Sequence, residues 1–177
     1  MIGLLLASCG GGGGSGGGNN GASSEVSCAY LRGHVNTISS GAGGCVNCTV
    51  RNPQNAADGN LNTAFDLFTG TGQQTYTGID NGAAGTFPAG SNAGAFVTLS
   101  GGASTSGITF TTYLANVAQD TATGTMITTT PTNGKATPAS YLSFTTSRSF
   151  DSIGISVSAT SGMQFSFYEF CGGASIR

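Results

Sequence analysis

Short segments in which apolar and polar residues alternate recur along the chain, and this pattern limits the fold more than any other feature. A period of two places every second side chain on the same face of a β-strand. Each segment is rich in β-branched or aromatic residues and is bounded by Gly, Ser, Asn or Pro. The alternation predicts strands over residues 95–99, 108–113, 140–144, 153–157 and 163–170.

Helical periodicity is weak throughout the chain. No segment longer than about a dozen residues shows the 3.6-residue period of an amphipathic helix, and residues 114–118 fit at most one helical turn. Short strands separated by turn residues are typical of a sandwich or a barrel. We therefore predict an all-β fold with one folded domain over residues 25–177.

The charge content of the chain excludes one class of partner. Charged residues make up 7% of the 177 residues, and seven acidic against five basic side chains give a net charge of −2. Nucleic-acid binding through the phosphate backbone needs several clustered Lys or Arg side chains. We therefore expect no nucleic-acid partner.

The N-terminus indicates export. The apolar run in residues 1–9 is too short to span a bilayer, which needs ~20 residues, but it suits the end of a secretory signal. Residues 6–9 read LASC and resemble the bacterial lipobox, which implies removal of residues 1–8 and a diacylglycerol on Cys9. The expected location is then the cell surface, with a lipid anchor as the membrane attachment. A chance match in an apolar N-terminus is the alternative.

A low-complexity segment follows the cysteine. Residues 10–24 are Gly, Ser, Asn and Ala alone, so they cannot bury enough apolar area to fold. We predict a disordered tether over residues 9–24, with an end-to-end distance of roughly 20 Å. Such a tether would hold the folded domain close to a membrane.

Four further cysteines form an even set in an exported chain. They allow three pairings, which the sequence by itself does not distinguish. Cys28 and Cys171 lie at the two ends of the domain, and domain termini are often close together, which favours this pair and leaves Cys45 with Cys48. Zinc binding or redox chemistry at the CxxC motif is the alternative.

A short turn holds most of the chemistry that the sequence offers. Residues 52–63 collect Asp, Asn and Thr oxygens around Gly59, and calcium prefers a shell of six to eight such oxygens. The spacing differs from that of an EF-hand. The alternative is a simple Asp-Gly turn with a local side-chain cap, which Asn and Asp favour in any case.

The same turn carries a family resemblance. Residues 55–63, NAADGNLNT, are similar to the A-x-D-G-N-x-x-T signature of discoidin and related galactose-binding-like domains, and residues 167–170 resemble their last strand. The resemblance implies a jelly-roll β-sandwich, a disulfide between the domain ends and one structural calcium ion. Carried over, the ion is held by Asp58, Asn60, Thr63 and Glu169, with a backbone carbonyl near Asn55.

The function predicted from these observations is binding without catalysis. The chain has a single histidine, His34, and no nucleophile elbow. We expect a cell-surface domain that binds carbohydrate or a surface polymer. A structural subunit of a surface layer or filament, which would self-associate, is the alternative. The candidate ligand-binding residues lie in loops rich in Gly and Asn and are Arg32, His34, Tyr76 and Phe87.

Overall fold

A computed structural model describes residues 24–33, 35–40, 47–70, 72–79, 85–131, 139–159 and 162–176. The predicted signal and all of the tether except Ser24 lie outside these residues, as do Cys9, His34 and Cys45. The predictions made for them stay predictions.

The described part of the chain is built from strands, which confirms the all-β prediction. Each predicted strand lies within an observed one, to within a residue. Two short 3-10 helices, Pro53–Ala56 and Thr105–Gly107, interrupt the strands. In chain order the strands are β1 Ser24–Tyr30, β2 Val35–Ser40, β3 Thr49–Arg51, β4 Phe65–Phe68, β5 Gly72–Ile79, β6 Asn92–Ser100, β7 Ile108–Leu114, β8 Val117–Thr123, β9 Thr125–Pro131, β10 Ala139–Thr145, β11 Ser152–Ala159 and β12 Gln164–Ile176.

The one position at which we allowed a helical turn is a β-hairpin, so that expectation is wrong. Ala115 and Asn116 connect β7 to β8 and have φ angles of 50° and 66°. Two consecutive residues with positive φ are typical of the tight turn whose twist matches a hairpin. The strong pairing of β7 with β8 outweighs the helical propensity of this segment.

Two sheets pack face to face, which confirms the predicted β-sandwich. The smaller sheet has the strand order β2-β5-β11-β7-β8, and the larger sheet has the order β1-β9-β10-β6-β12-β4-β3. Among the described strands, all pairings are antiparallel except that of β1 with β9. The main core lies between the sheets and contains buried side chains from both, including Phe110, Ile155 and Phe165.

The larger sheet also closes on itself, which the sequence did not indicate. β1 pairs with β9 on one side and with β12 on the other, so β1, β9, β10, β6 and β12 form a continuous ring. A second core fills this ring and includes Phe96 and Tyr141. Residues next to them in the chain, such as Ala95 and Leu142, lie on the other face of the same strands and belong to the main core. The N-terminal strand is therefore part of the framework.

The disulfide between the domain ends is confirmed. Cys28 in β1 is bonded to Cys171 in β12, with their Cα atoms 5.6 Å apart and 143 positions between them in the chain. It crosses the pairing that closes the ring. Cys48 is also disulfide-bonded, and its partner lies outside the described residues.

Candidate functional site

The turn after the first 3-10 helix is organised around the carboxylate of Asp58. Its Oδ1 accepts the backbone N–H of Asn60 at 2.8 Å, and its Oδ2 accepts the hydroxyl of Thr63 at 2.7 Å. Between them, Gly59 adopts a φ of 78°, a conformation that favours glycine. The sequence A-x-D-G-N-x-x-T is thus a compact loop whose polar side chains point at one another.

The backbone carbonyl of Asn60 is a second focus of the loop. It accepts both the N–H of Thr63, at 3.2 Å, and the hydroxyl of Thr63, at 2.9 Å. The side-chain Oδ1 of Asn60 accepts the N–H of Asn62 at 3.0 Å. Asp58, Asn60 and Thr63, three of the predicted metal ligands, therefore lie within one hydrogen-bonded unit.

Glu169 reaches this unit from the other end of the chain. It lies in β12, at an irregularity in the pairing with β6 between Phe167 and Phe170. Both of these phenylalanines face the main core although three positions separate them, so the bulge changes the alternation and lets Glu169 point at the loop. Its Oε1 accepts the N–H of Asn60 at 2.8 Å.

The environment of Glu169 is unfavourable for a charged carboxylate. The side chain is fully buried, and its Oε2 has no hydrogen-bond partner among the described residues. Burial, and after it the neighbouring carboxyl of Asp58, raise the pKa of Glu169 from its usual 4.5 to about 8, although the backbone N–H groups of Asn60 and Gly59 act to lower it. A buried acid with one unpartnered oxygen is either protonated or paired with a cation that the protein binds.

Asn55 closes the loop rather than pointing into it. Its side-chain Nδ2 donates to the carbonyl of Ala64 at 3.0 Å, which ties the start of the loop to its end. Its backbone N–H donates to the carbonyl of Asn52 at 3.0 Å. The resemblance assigns a backbone carbonyl near Asn55 to the ion, and the side-chain contact holds this segment in place.

The donor atoms of the loop suit a hard cation. The hydrogen bonds connect two carboxylates, the hydroxyl of Thr63 and the backbone carbonyl of Asn60, all of them oxygen ligands of the kind that calcium prefers. Within the described ranges, no group of three or more His, Cys, Asp or Glu side chains comes together. The unpartnered Oε2 of Glu169 is the atom that a bound cation would satisfy, so the residues present fit a calcium ion.

Among the predicted ligand-binding residues, the structure describes the surroundings of the Arg32 and Phe87 side chains. Arg32 is exposed and follows β1, and its guanidinium lies against the Cα of Gly59, where an added Cβ would come within 2.7 Å of Nη2. Tyr76 lies in β5, opposite Ile155 of β11. Arg32 is therefore the candidate that borders the oxygen-rich loop.

Phe87 is part of the core. It is 7% exposed, and its ring stacks on Phe150 with 4.9 Å between the centroids. Its backbone N–H donates to the carbonyl of Phe150 at 2.7 Å. The ring is therefore covered in this structure and offers no platform to a ligand.

A second polar cluster, which was not predicted from the sequence, lies on the outer face of β3, β4 and β12. Asp66 Oδ1 accepts the hydroxyl of Ser166 at 2.5 Å and the Nε2 of Gln164 at 3.5 Å. The guanidinium of Arg51 lies over the ring of Phe68, 4.7 Å from its centroid. The sequence signal was the charge at position 66 within an otherwise apolar strand.

Comparisons with protein-family models, curated proteins and solved structures found no match to this chain. None of the helices in the described ranges is long and apolar enough to cross a membrane.

Proposed function

We propose that this protein is a non-catalytic surface domain that is stabilised by calcium and binds carbohydrate or a surface polymer. The N-terminal Cys9 anchors it through a lipid, and the segment after it serves as a tether. The ion is structural, because it links the loop after the first 3-10 helix to the last strand. The polymer is bound by the polar, weakly charged surface of the sandwich.

The observation that carries the proposal is the contact between Glu169 and the loop. Asp58 and Glu169 are far apart in the chain, yet both carboxylates accept the same N–H, that of Asn60. Two carboxylates at one donor repel each other unless a proton or a cation lies between them. Calcium supplies that charge and completes its shell with the neutral oxygens of the loop.

Thermal melting of the purified domain tests the calcium site. A cation that binds only the folded state adds stability, ~2.7 kcal/mol at a hundredfold excess over its Kd. We expect melting to shift upward with calcium relative to chelator, and less with magnesium, which demands a tighter octahedral shell. Asp58→Ala should abolish the shift, whereas Asp151→Ala, which removes a carboxylate near the β7–β8 turn, should retain it. Identical wild-type curves with calcium and chelator would refute the site.

The lipid anchor is tested on protein from its native host. We expect mass spectrometry to show that residues 1–8 are removed and that Cys9 carries added lipid mass. An intact Met1, or cleavage at another position, would remove the anchor from the proposal without affecting the calcium site.

Binding of carbohydrate is supported by the position of Arg32. Its exposed guanidinium borders the proposed calcium loop, so a ligand-binding candidate and the ion are adjacent. A charged side chain such as that of Arg is one of the polar groups that fix the orientation of a ligand in a binding site. A glycan array probed with calcium-loaded protein should give specific signals, and an array without any would contradict the binding function.

One observation favours self-association as a second function. Among the described strands, β8 pairs with β7 alone, so none of them pairs with its other edge. It carries one charged residue, Asp120, and it begins at Val117, which is 63% exposed. Edges with few charges have little protection against pairing with another chain. Polymers that grow with concentration in light scattering would support this function over glycan binding.

A further inference from the structure

The outer face of β3, β4 and β12 holds polar groups in a regular array. Arg51, Asp66 and Ser166 lie opposite one another on adjacent strands. Thr49, Phe68 and Gln164 form the next row. β3 has three residues and is the last strand of its sheet, so this face lies at the margin of the sandwich, where a long ligand can approach.

The cluster leaves hydrogen-bonding capacity unused. Asp66 receives its two contacts on Oδ1, so its Oδ2 has no partner among the described residues. Arg51 lies over Phe68 rather than on Asp66, and its guanidinium makes no hydrogen bond to a described residue. An acceptor and a fork of donors are thus available side by side, beside an aromatic ring.

This combination matches the chemistry of neighbouring hydroxyl groups on a sugar ring. One hydroxyl donates to a carboxylate oxygen, the next accepts from a guanidinium, and the C–H face of the sugar packs on an apolar ring. The Arg51 and Asp66 charges balance, so the cluster has no net charge with which to favour an anionic or a cationic polymer. Ser166, which is 8% exposed, and Gln164 hold the carboxylate in place.

We infer that Arg51, Asp66 and Phe68 form a binding site for a neutral polysaccharide. The inference rests on the proposed carbohydrate-binding function and assigns it a second binding surface in addition to the one that Arg32 borders. Asp66 and Arg51 contact sugar hydroxyls, the part of the half-buried Phe68 ring that Arg51 leaves uncovered provides the apolar contact, and Gln164 positions the carboxylate.

Affinity electrophoresis in gels that contain galactomannan, a β-glucan or xylan tests the site. We expect the wild-type protein to be retarded by at least one polymer. Asp66→Asn and Arg51→Gln should each weaken that binding about tenfold or more, because each removes a hydrogen bond to a charged group. Asp151→Asn, near the opposite sheet, is the matched control and should bind as the wild type does.

The outcomes separate the two proposals. If the wild type binds a polymer and neither variant weakens the binding, the site is wrong and the binding function stands. If the wild type binds none of the polymers, the inference fails together with the binding function. Asn at position 66 keeps an acceptor for Ser166, and melting curves check that the fold is retained. Should Asp66→Asn unfold, Arg51→Gln carries the test, because Arg51 is exposed at the sheet margin.

Discussion

Replacing Glu169 with Gln separates the buried charge of this side chain from its hydrogen bond. The Gln Oε1 can still accept the N–H of Asn60, so the loop stays attached to β12. The ionisable group is lost, and with it the unpartnered oxygen that a cation would satisfy. The substitution should therefore have opposite effects on stability in the metal-free and the calcium-bound protein.

The magnitude without metal follows from the pKa of Glu169. Because the folded-state pKa is raised, to about 8, the stability due to this group is fully present below pH 4.5 and is lost as the pH rises through 8. The loss amounts to about 3 kcal/mol at pH 7 and about 5 kcal/mol above pH 8. In chelator at pH 7, Glu169→Gln should thus melt roughly 6–12 °C above the wild type. At pH 4 the two should melt together.

At a thousandfold excess over its Kd, where binding adds ~4.1 kcal/mol, calcium should reverse this order at pH 7. The wild type gains the binding energy of the ion, whereas the variant has lost one of the two carboxylates and should show little or no shift. The assay is calorimetry or circular dichroism melting at pH 4, 7 and 8.5, each with calcium and with chelator. Asp151→Asn controls for the loss of one negative charge. Equal melting of variant and wild type in chelator at pH 8.5 would show that the buried charge of Glu169 does not destabilise the fold. An undiminished calcium shift in the variant would show that Glu169 does not bind the ion.

Other perturbations test the framework around the site. Cys171→Ser removes the disulfide that spans 143 positions and should lower the free energy of unfolding by ~4–5 kcal/mol in urea, because the cross-link restricts the unfolded chain. A loss below about 1 kcal/mol would contradict this reason. Gly59→Ala and Gly102→Ala both place alanine at a φ near +80° and should each cost about 1–2 kcal/mol in the same assay. The extra contact of Gly59→Ala with Arg32 should add little, because the exposed guanidinium can move aside, and a much larger cost would mean that Arg32 is held in place. Asp120 accepts hydrogen bonds from the turn at positions 147 and 148, chiefly from the Ser147 hydroxyl, which lowers its pKa. Its stabilising effect is present above pH 3.8, and melting at a series of pH values should show it fading as the pH falls below that value. Asp120→Asn should remove this pH dependence.

Local patterns determined where the strands lie. Alternation of apolar and polar residues is a property of consecutive positions, so residues 108–113 and 153–157 could be assigned without knowledge of their partners. The loop around Gly59 was equally readable, since Asp, Gly, Asn and Thr at fixed spacing form side-chain to backbone hydrogen bonds within a few residues. The pair of Cys28 and Cys171 followed from the tendency of domain ends to meet.

Contacts between distant segments decided the rest. Phe87 reads as a loop residue because Gly and Pro surround it, yet a bridge to Phe150 brings it into the core. The closure of five strands into a ring depends on β1 pairing with both β9 and β12, and neither strand is near it in the chain. The sequence resemblance could place Glu169 beside the loop, but its complete burial and its unpartnered oxygen arise from the bulge in β12 and the packing around it. Desolvation depends on every atom that surrounds a group, and for a residue in a closing strand those atoms come from the whole fold.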